Sequence, residues 1–194
     1  DVGDAAVALS FLAHATLASV LHAAGVLHAR MARSMAMHNV CAVFAPKAIA
    51  TSHLNAFLAP KPLEAVGLYS SVASTFGNVG QANYAAANAY LDALAHSRRC
   101  HGALVSSLQI PAVSGSGMGA TTFDKEQLDM MGSTSLDDFA GCLSSALAPA
   151  RAAMERTLAP LSRILCAPAF AGQSPAEESS TLDGLLVVAV SQTS

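Results

Sequence analysis

Leu68-Tyr-Ser-Ser-Val-Ala-Ser-Thr-Phe-Gly-Asn-Val-Gly-Gln-Ala-Asn-Tyr-Ala-Ala-Ala-Asn-Ala-Tyr-Leu-Asp92 is the stretch on which the fold turns. It continues an apolar run from Ala65, breaks into small and polar residues around Gly77 and Gly80, and resumes as an alanine-rich helical segment. Tyr84 and Asn88 are four apart, so on a helix they share one face, a turn from each other. The small residues around them (Ala82, Ala85, Ala86, Ala87, Ala89) leave space for a large group close to the backbone. A strand ending in Ser70-Ser71, followed by a helix presenting a phenol, brings hydroxyl groups together at the mouth of a parallel sheet.

Working outward, Leu17 to Leu21 is a short apolar run entering the tight loop His22-Ala23-Ala24-Gly25, which suits a buried strand. Upstream, Asp4 is a candidate cap for a helix from Ala5 to Ala15. Residues 34 to 58 carry Val43, Phe44, Ala48, Ile49 and Leu54 at helical spacing, with Pro46 predicting a break or kink just before Lys47. Ala65 to Tyr69 reads as the next strand, Gln81 to Arg98 as a helix, and Ala103 to Gln109 as a third strand. Alternation of strands with helices of this length implies crossover connections and a parallel sheet. Ser114 to Thr122 reads as a mobile loop. Phe123 to Met131 and Leu136 to Leu147 read as helices, with Asp137 and Asp138 in the first turn of the second. Pro149 to Leu165 reads as a helix interrupted at Pro160, Ala167 to Thr181 as a linker, and Leu182 to Val190 as a last strand.

The chain of 194 residues is 53% hydrophobic and only 12% charged, which suits one domain with a well-buried core. Net charge is −3 with Lys and Arg scattered, and three Tyr with no Trp offer little for stacking, which argues against a nucleic-acid partner. Cys41, Cys100, Cys142 and Cys166 are widely spaced, and this favours reduced thiols in an intracellular, cytoplasmic protein over a disulfide framework or zinc site. The seven His are scattered without carboxylates at ligand spacing, so no metal is expected. No apolar run reaches the ~18 residues of a membrane span, and the start Asp1-Val2-Gly3-Asp4 has neither Met nor a basic region to suggest a targeting segment. Such a start reads as the interior of a larger polypeptide.

Taken bare, Ser70, Ser71, Tyr84 and Lys47 suggest proton transfer. A phenol with an ordinary pKa of ~10 becomes a better acid beside an ammonium, which favours the phenolate. The competing reading is structural: tyrosine on an alanine-rich helix usually packs, and a lone lysine is usually solvated. A hydrolase nucleophile at Ser70 or Ser71 lacks the G-x-S-x-G elbow. His22 reads as structural, and Asp92 as a packing or capping residue.

His22-Ala23-Ala24-Gly25-Val26-Leu27, Pro46-Lys47, Tyr69-Ser70-Ser71-Val72-Ala73 and Asn83-Tyr84-Ala85-Ala86-Ala87-Asn88-Ala89-Tyr90-Leu91-Asp92-Ala93-Leu94-Ala95 together resemble the ketoreductase domain of modular polyketide synthases, a branch of the short-chain dehydrogenase/reductase superfamily. The animal-type fatty acid synthase reductase is the nearest neighbour. Most of the superfamily places its lysine four residues after the tyrosine. Here Asn88 stands there and the lysine lies upstream at Lys47, the arrangement of the synthase reductases. The spacings 84 − 71 = 13 and 71 − 47 = 24 also agree with that family.

The resemblance implies an α/β Rossmann-type parallel sheet with flanking helices, lacking its N-terminal strands. Residues 1–148 would form the partial ketoreductase unit, and 149–194 a C-terminal helix and linker or tail. It implies Tyr84 as general acid, Lys47 as the cation beside it and on the nicotinamide ribose, Ser71 as hydrogen-bond donor to the ketone, and Asn88 as support for a proton-relay water. NADPH would be the cofactor, contacted by Asp1, Val2, Ala23, Ala24, Gly25, Lys47, Tyr84, Pro111 and Ala112. The substrate would be a β-ketoacyl thioester on an acyl carrier protein, with neighbouring synthase domains as partners. The family's glycine-rich pyrophosphate turn is expected to be missing, and Gly115 to Gly119 reads as a lid loop rather than its replacement. The family's Trp-Gly-x-Trp is replaced by Gln109-Ile110-Pro111-Ala112. The rival readings are a truncated or inactive structural fragment and a free-standing or fatty-acid-type short-chain reductase.

Overall fold

The computed structural model describes residues 17–61, 63, 65–115, 117–118, 124–130, 132–146 and 185–188. The expected helix from Ala5 to Ala15, the helix and linker between Pro149 and Thr181, and the cofactor residues Asp1 and Val2 lie outside them. Among the described residues four parallel strands form one sheet in the order β3-β2-β1-β4: β1 is Ser19–His22, β2 Ala65–Ser71, β3 Val105–Ile110 and β4 Leu185–Val188. The register pairs Ser19 with Ala65 and with Leu185, and Val66 with Val105.

Parallel strands need long crossovers, and α1 (Met37–Phe44), a π-helical turn (Ala45–Ile49) and α2 (Ala50–Leu58) supply the first between β1 and β2. The second runs through α3 (Ala73–Phe76) and α4 (Ala82–Cys100) to β3. Beyond β3 come α5 (Lys125–Met130) and α6 (Leu136–Ala146). The sheet is thus an α/β Rossmann-type layer covered on both faces. Val20 packs with Leu54 and Leu58 of α2, and Leu68 and Val105 pack with Leu91 and Ala95 of α4. On the other face Leu21, Ala65 and Leu108 pack with Leu143 of α6, and the Tyr69 ring meets Phe139 edge-on at 5.7 Å.

Pro46 does not break its helix. It has no N–H to offer the preceding turn, and the chain answers by widening one turn: the Ala50 amide reaches the carbonyls of Ala45 and Lys47. Burial of Val43, Ala48, Ala50 and Leu54 against the sheet and α4 explains why the helix resumes rather than ending. Such π-turns cluster at functional positions, and this one turns Lys47 inward to 2% exposure.

The Leu17–Leu21 strand begins and ends a little later than its apolar run, at Ser19–His22, because its partner β2 sets the pairing. Gly77 ends α3 with φ 72°, a left-handed conformation that costs a side-chain-bearing residue.

Candidate active site

The candidate site lies at the carboxyl ends of β1, β2 and β3, where open α/β sheets bind ligands. Three segments meet there: the loop from Ala23 after β1, the turn after Ser71, and Pro111-Ala112 after β3. Asn83 on α4 ties the wall together by donating to the carbonyls of His28 (3.1 Å) and Asn39 (3.0 Å). The Arg30 amide donates to Gly80 at 2.7 Å, which fixes the long loop after β1 against the start of α4.

To this site the fold brings Lys47, Ser71, Tyr84 and Asn88 from three different elements. The Lys47 Nζ donates to the Tyr69 carbonyl at 2.8 Å and stands 5.4 Å from the centroid of the Tyr84 ring. Ser71 is half-buried at the end of β2, and its Oγ accepts from the Ala73 amide at 3.2 Å, which fixes the rotamer. Asn88 is fully buried, donates Nδ2 to the Tyr84 carbonyl at 2.8 Å, and leaves its Oδ1 without a hydrogen-bond partner. A buried amide oxygen with no partner is costly unless water reaches it.

The electrostatics follow from burial. The Lys47 pKa falls from 10.5 to about 8, driven by desolvation and opposed by the charge of Asp92. Burial pushes the Tyr84 phenol above its ordinary value, while hydrogen bonds from Ser71 and Asn88 pull it partly back. The direction is opposite to the lowering expected from a neighbouring ammonium: desolvation outweighs the two hydrogen bonds. His22 is fully buried, and its pKa drops to about 4 through burial and the nearby Lys47 charge. Its ring lies near the carbonyls of Lys47 and Pro46 without closing a hydrogen bond of ordinary geometry.

Gly25 has a role in the structure that its sequence context did not suggest. A Cβ built there would lie 2.7 Å from Lys47 Cε and 3.3 Å from Nζ, so the missing side chain makes way for the lysine. Gly25→Ala is expected to displace the Lys47 ammonium from the Tyr69 carbonyl, lowering turnover roughly tenfold or more with little change in thermal unfolding. Steady-state kinetics beside a melting curve checks this, and wild-type turnover would show that the lysine tip can relocate freely. The Tyr69 carbonyl, as the group that anchors Lys47, was likewise missed, because a backbone acceptor leaves no mark in a sequence.

A dinucleotide of the kind expected would need a cation and a hydroxyl donor beside small residues. The ammonium of Lys47 has three protons and spends one on Tyr69, leaving two for a ribose hydroxyl. Gly25 borders it with no side chain, whereas Ala24 is buried in the core with Val20, Leu54 and Leu58. The described residues therefore fit the nicotinamide-ribose end of such a molecule. Among the described residues no group of three or more His, Cys, Asp or Glu is placed to hold a metal ion, and no helix is long and apolar enough to cross a membrane. Cys41, Cys100 and Cys142 are free and exposed.

Comparison with known proteins bears on the family and the fold. The KR domain family matches residues 1–115. Polyketide synthase GfsA of Streptomyces halstedii is 47% identical over 112 residues, covering 56% of this chain and 2% of that protein. The spectinabilin polyketide synthase system protein NorB of Streptomyces orinoci is 39% identical over 141 residues, covering 70% of this chain and 6% of that protein. The chain thus spans a small fraction of the length of these relatives. Among solved structures, A-type ketoreductases from a modular polyketide synthase superpose with a TM-score of 0.70 at 34% identity, over 76% of this chain and 32% of theirs. The first ketoreductase of the tylosin synthase gives 0.66 at 30% identity, over 74% of this chain and 32% of that one. The chain belongs to the ketoreductase (KR) domain family of modular polyketide synthases.

Proposed function

We propose that the protein carrying this chain reduces the β-ketone of an acyl thioester, held on an acyl carrier protein, to the β-hydroxyacyl form, with NADPH as cofactor. The observation that carries the reading is the lysine contributed by a separate helix. Lys47 stands 5.4 Å from the Tyr84 ring, although 37 residues separate the two (84 − 47).

When bound, the cofactor supplies hydride; the rest is the chain's work. Ser71 donates to the ketone oxygen and orients it. The Tyr84 phenol, whose pKa burial pushes further above its ordinary value, is protonated at neutral pH and donates its proton to the oxygen as negative charge develops there. Lys47 stabilises the phenolate left behind and holds the ribose. The unpaired Oδ1 of Asn88 orders a water that returns the proton. Small residues at Ala23 to Gly25 and at Pro111-Ala112 border the place where the cofactor lies. Neighbouring synthase domains deliver the substrate.

The test is NADPH consumption by the full-length protein with three substrates: a carrier-bound β-ketoacyl thioester, the same thioester on a small thiol, and a simple ketone. Reduction of the carrier-bound substrate at the highest kcat/KM is expected. Turnover of the simple ketone alone would favour a free-standing reductase, and no turnover of any would favour an inactive structural domain.

A further inference from the structure

Asp92 lies on α4 two turns beyond Tyr84, so at 1.5 Å per residue it sits about 12 Å along the axis and does not reach the reacting atoms. It is nevertheless among the most heavily hydrogen-bonded side chains described. Oδ1 accepts from Ser107 Oγ at 2.6 Å, and Oδ2 accepts from Ser74 Oγ at 2.6 Å and Gln109 Nε2 at 2.9 Å. These donors come from α3 and from β3. Gln109 is itself oriented by Thr75, whose Oγ1 donates to its Oε1 at 2.8 Å. The carboxylate thus links α4 both to α3 and to β3. The bonds from Ser107, Ser74, Gln109 and Ser70 outweigh burial and hold its pKa below the ordinary carboxylate value, so it is ionised at neutral pH.

The consequence reaches Ser71. The Ser74 hydroxyl stands 2.6 Å from Asp92 and 2.8 Å from the Ser71 carbonyl, and shares its one proton between them. The backbone that sets the Ser71 side chain is therefore tied to the helix that carries Tyr84. We propose that Asp92 is a positioning residue that fixes Ser71 against Tyr84 through the Ser74 hydroxyl. This rests on the ketone-reduction reading above.

The test uses the full-length protein with Asp92→Ala, Asp92→Asn, Ser74→Ala and the Asp92→Ala/Ser74→Ala double variant. Misplacement of a reacting group by an ångström costs up to about a hundredfold, so Asp92→Ala is expected to lower kcat roughly tenfold to a hundredfold with KM nearly unchanged. Asp92→Asn recovers most of the loss, because an amide oxygen still serves Ser107 and a turned Gln109 amide faces the new donor. Ser74→Ala reproduces the loss, and the double variant adds nothing to it, as expected of residues acting in one chain. The second readout needs no turnover: the Tyr84 phenol, followed by carbon-13 NMR, should titrate at higher pH in Asp92→Ala as it loses the Ser71 hydrogen bond. Wild-type kcat in Asp92→Ala, or additive losses in the double variant, overturns the proposal. Should Asp92→Ala fail to fold, Ser74→Ala alone decides. If the wild-type protein reduces no ketone, the functional reading falls, and the phenol titration still judges whether Asp92 holds Ser71.

Discussion

Tyr84→Phe in the full-length protein is expected to lower ketone reduction by roughly a hundred- to ten-thousand-fold while leaving the fold in place. The ring is 8% exposed and packs with Val43, Ala73 and Ala87, contacts that phenylalanine keeps. Only the hydroxyl goes, and with it the proton donor of the proposed reaction. Its partners are the half-buried Ser71 and the fully buried Asn88, so the loss of their hydrogen bonds is expected to cost about 1–3 kcal/mol of stability. Binding of NADPH, measured by fluorescence, should weaken little, because the ammonium of Lys47 and its anchor on Tyr69 remain. Undiminished turnover in this variant would refute the assignment of Tyr84 as the acid. A large loss of cofactor affinity without loss of turnover would recast it as a binding residue.

How much of this could be read in advance varies by element. The α4 helix was legible because its alanines leave no competing conformation and Tyr84 and Asn88 sit at i and i+4. The parallel sheet followed from the spacing of apolar runs, down to the last strand near Leu185–Val188. Pro46 was read by its local rule, as a break or a kink, and the tertiary packing of α1 and α2 against the sheet and α4 carries the helix on through a π-turn there. The meeting of Lys47 with Tyr84 was legible only through family resemblance, since no periodicity links residues 37 apart. Two further contacts left no sequence signal. The Lys47 side chain passes close beside Gly25, and Asp92 gathers donors from segments that only folding brings together.

Lys47→Met should separate the two roles of a buried cation: turnover is lost while the fold gains. Lys47 is 2% exposed, and the fall of its pKa from 10.5 to about 8 means that burial disfavours the charged form by roughly 3 kcal/mol. Methionine fills similar space without the charge. It gives up the hydrogen bond to the Tyr69 carbonyl, worth about 1 kcal/mol, so a net stabilisation of about 2 kcal/mol at pH 7 is expected. The sign of the pH dependence follows from the lowered pKa. The folded state releases the Lys47 proton near pH 8, whereas the unfolded chain holds it to about 10.5. Between these values the unfolded state binds more protons, so wild-type stability rises with pH, by about 1 kcal/mol from pH 7 to 9. Above that range the buried phenols reverse the trend, because Tyr69, pushed up to about 12, stays protonated folded while it ionises unfolded. Urea unfolding at pH 7, 8 and 9 should therefore show a rising curve for the wild type and a flatter, higher one for Lys47→Met. A less stable variant with the same slope would mean that the ammonium is not the strained group, and that the fold does not hold it in the site at its own expense for the sake of catalysis.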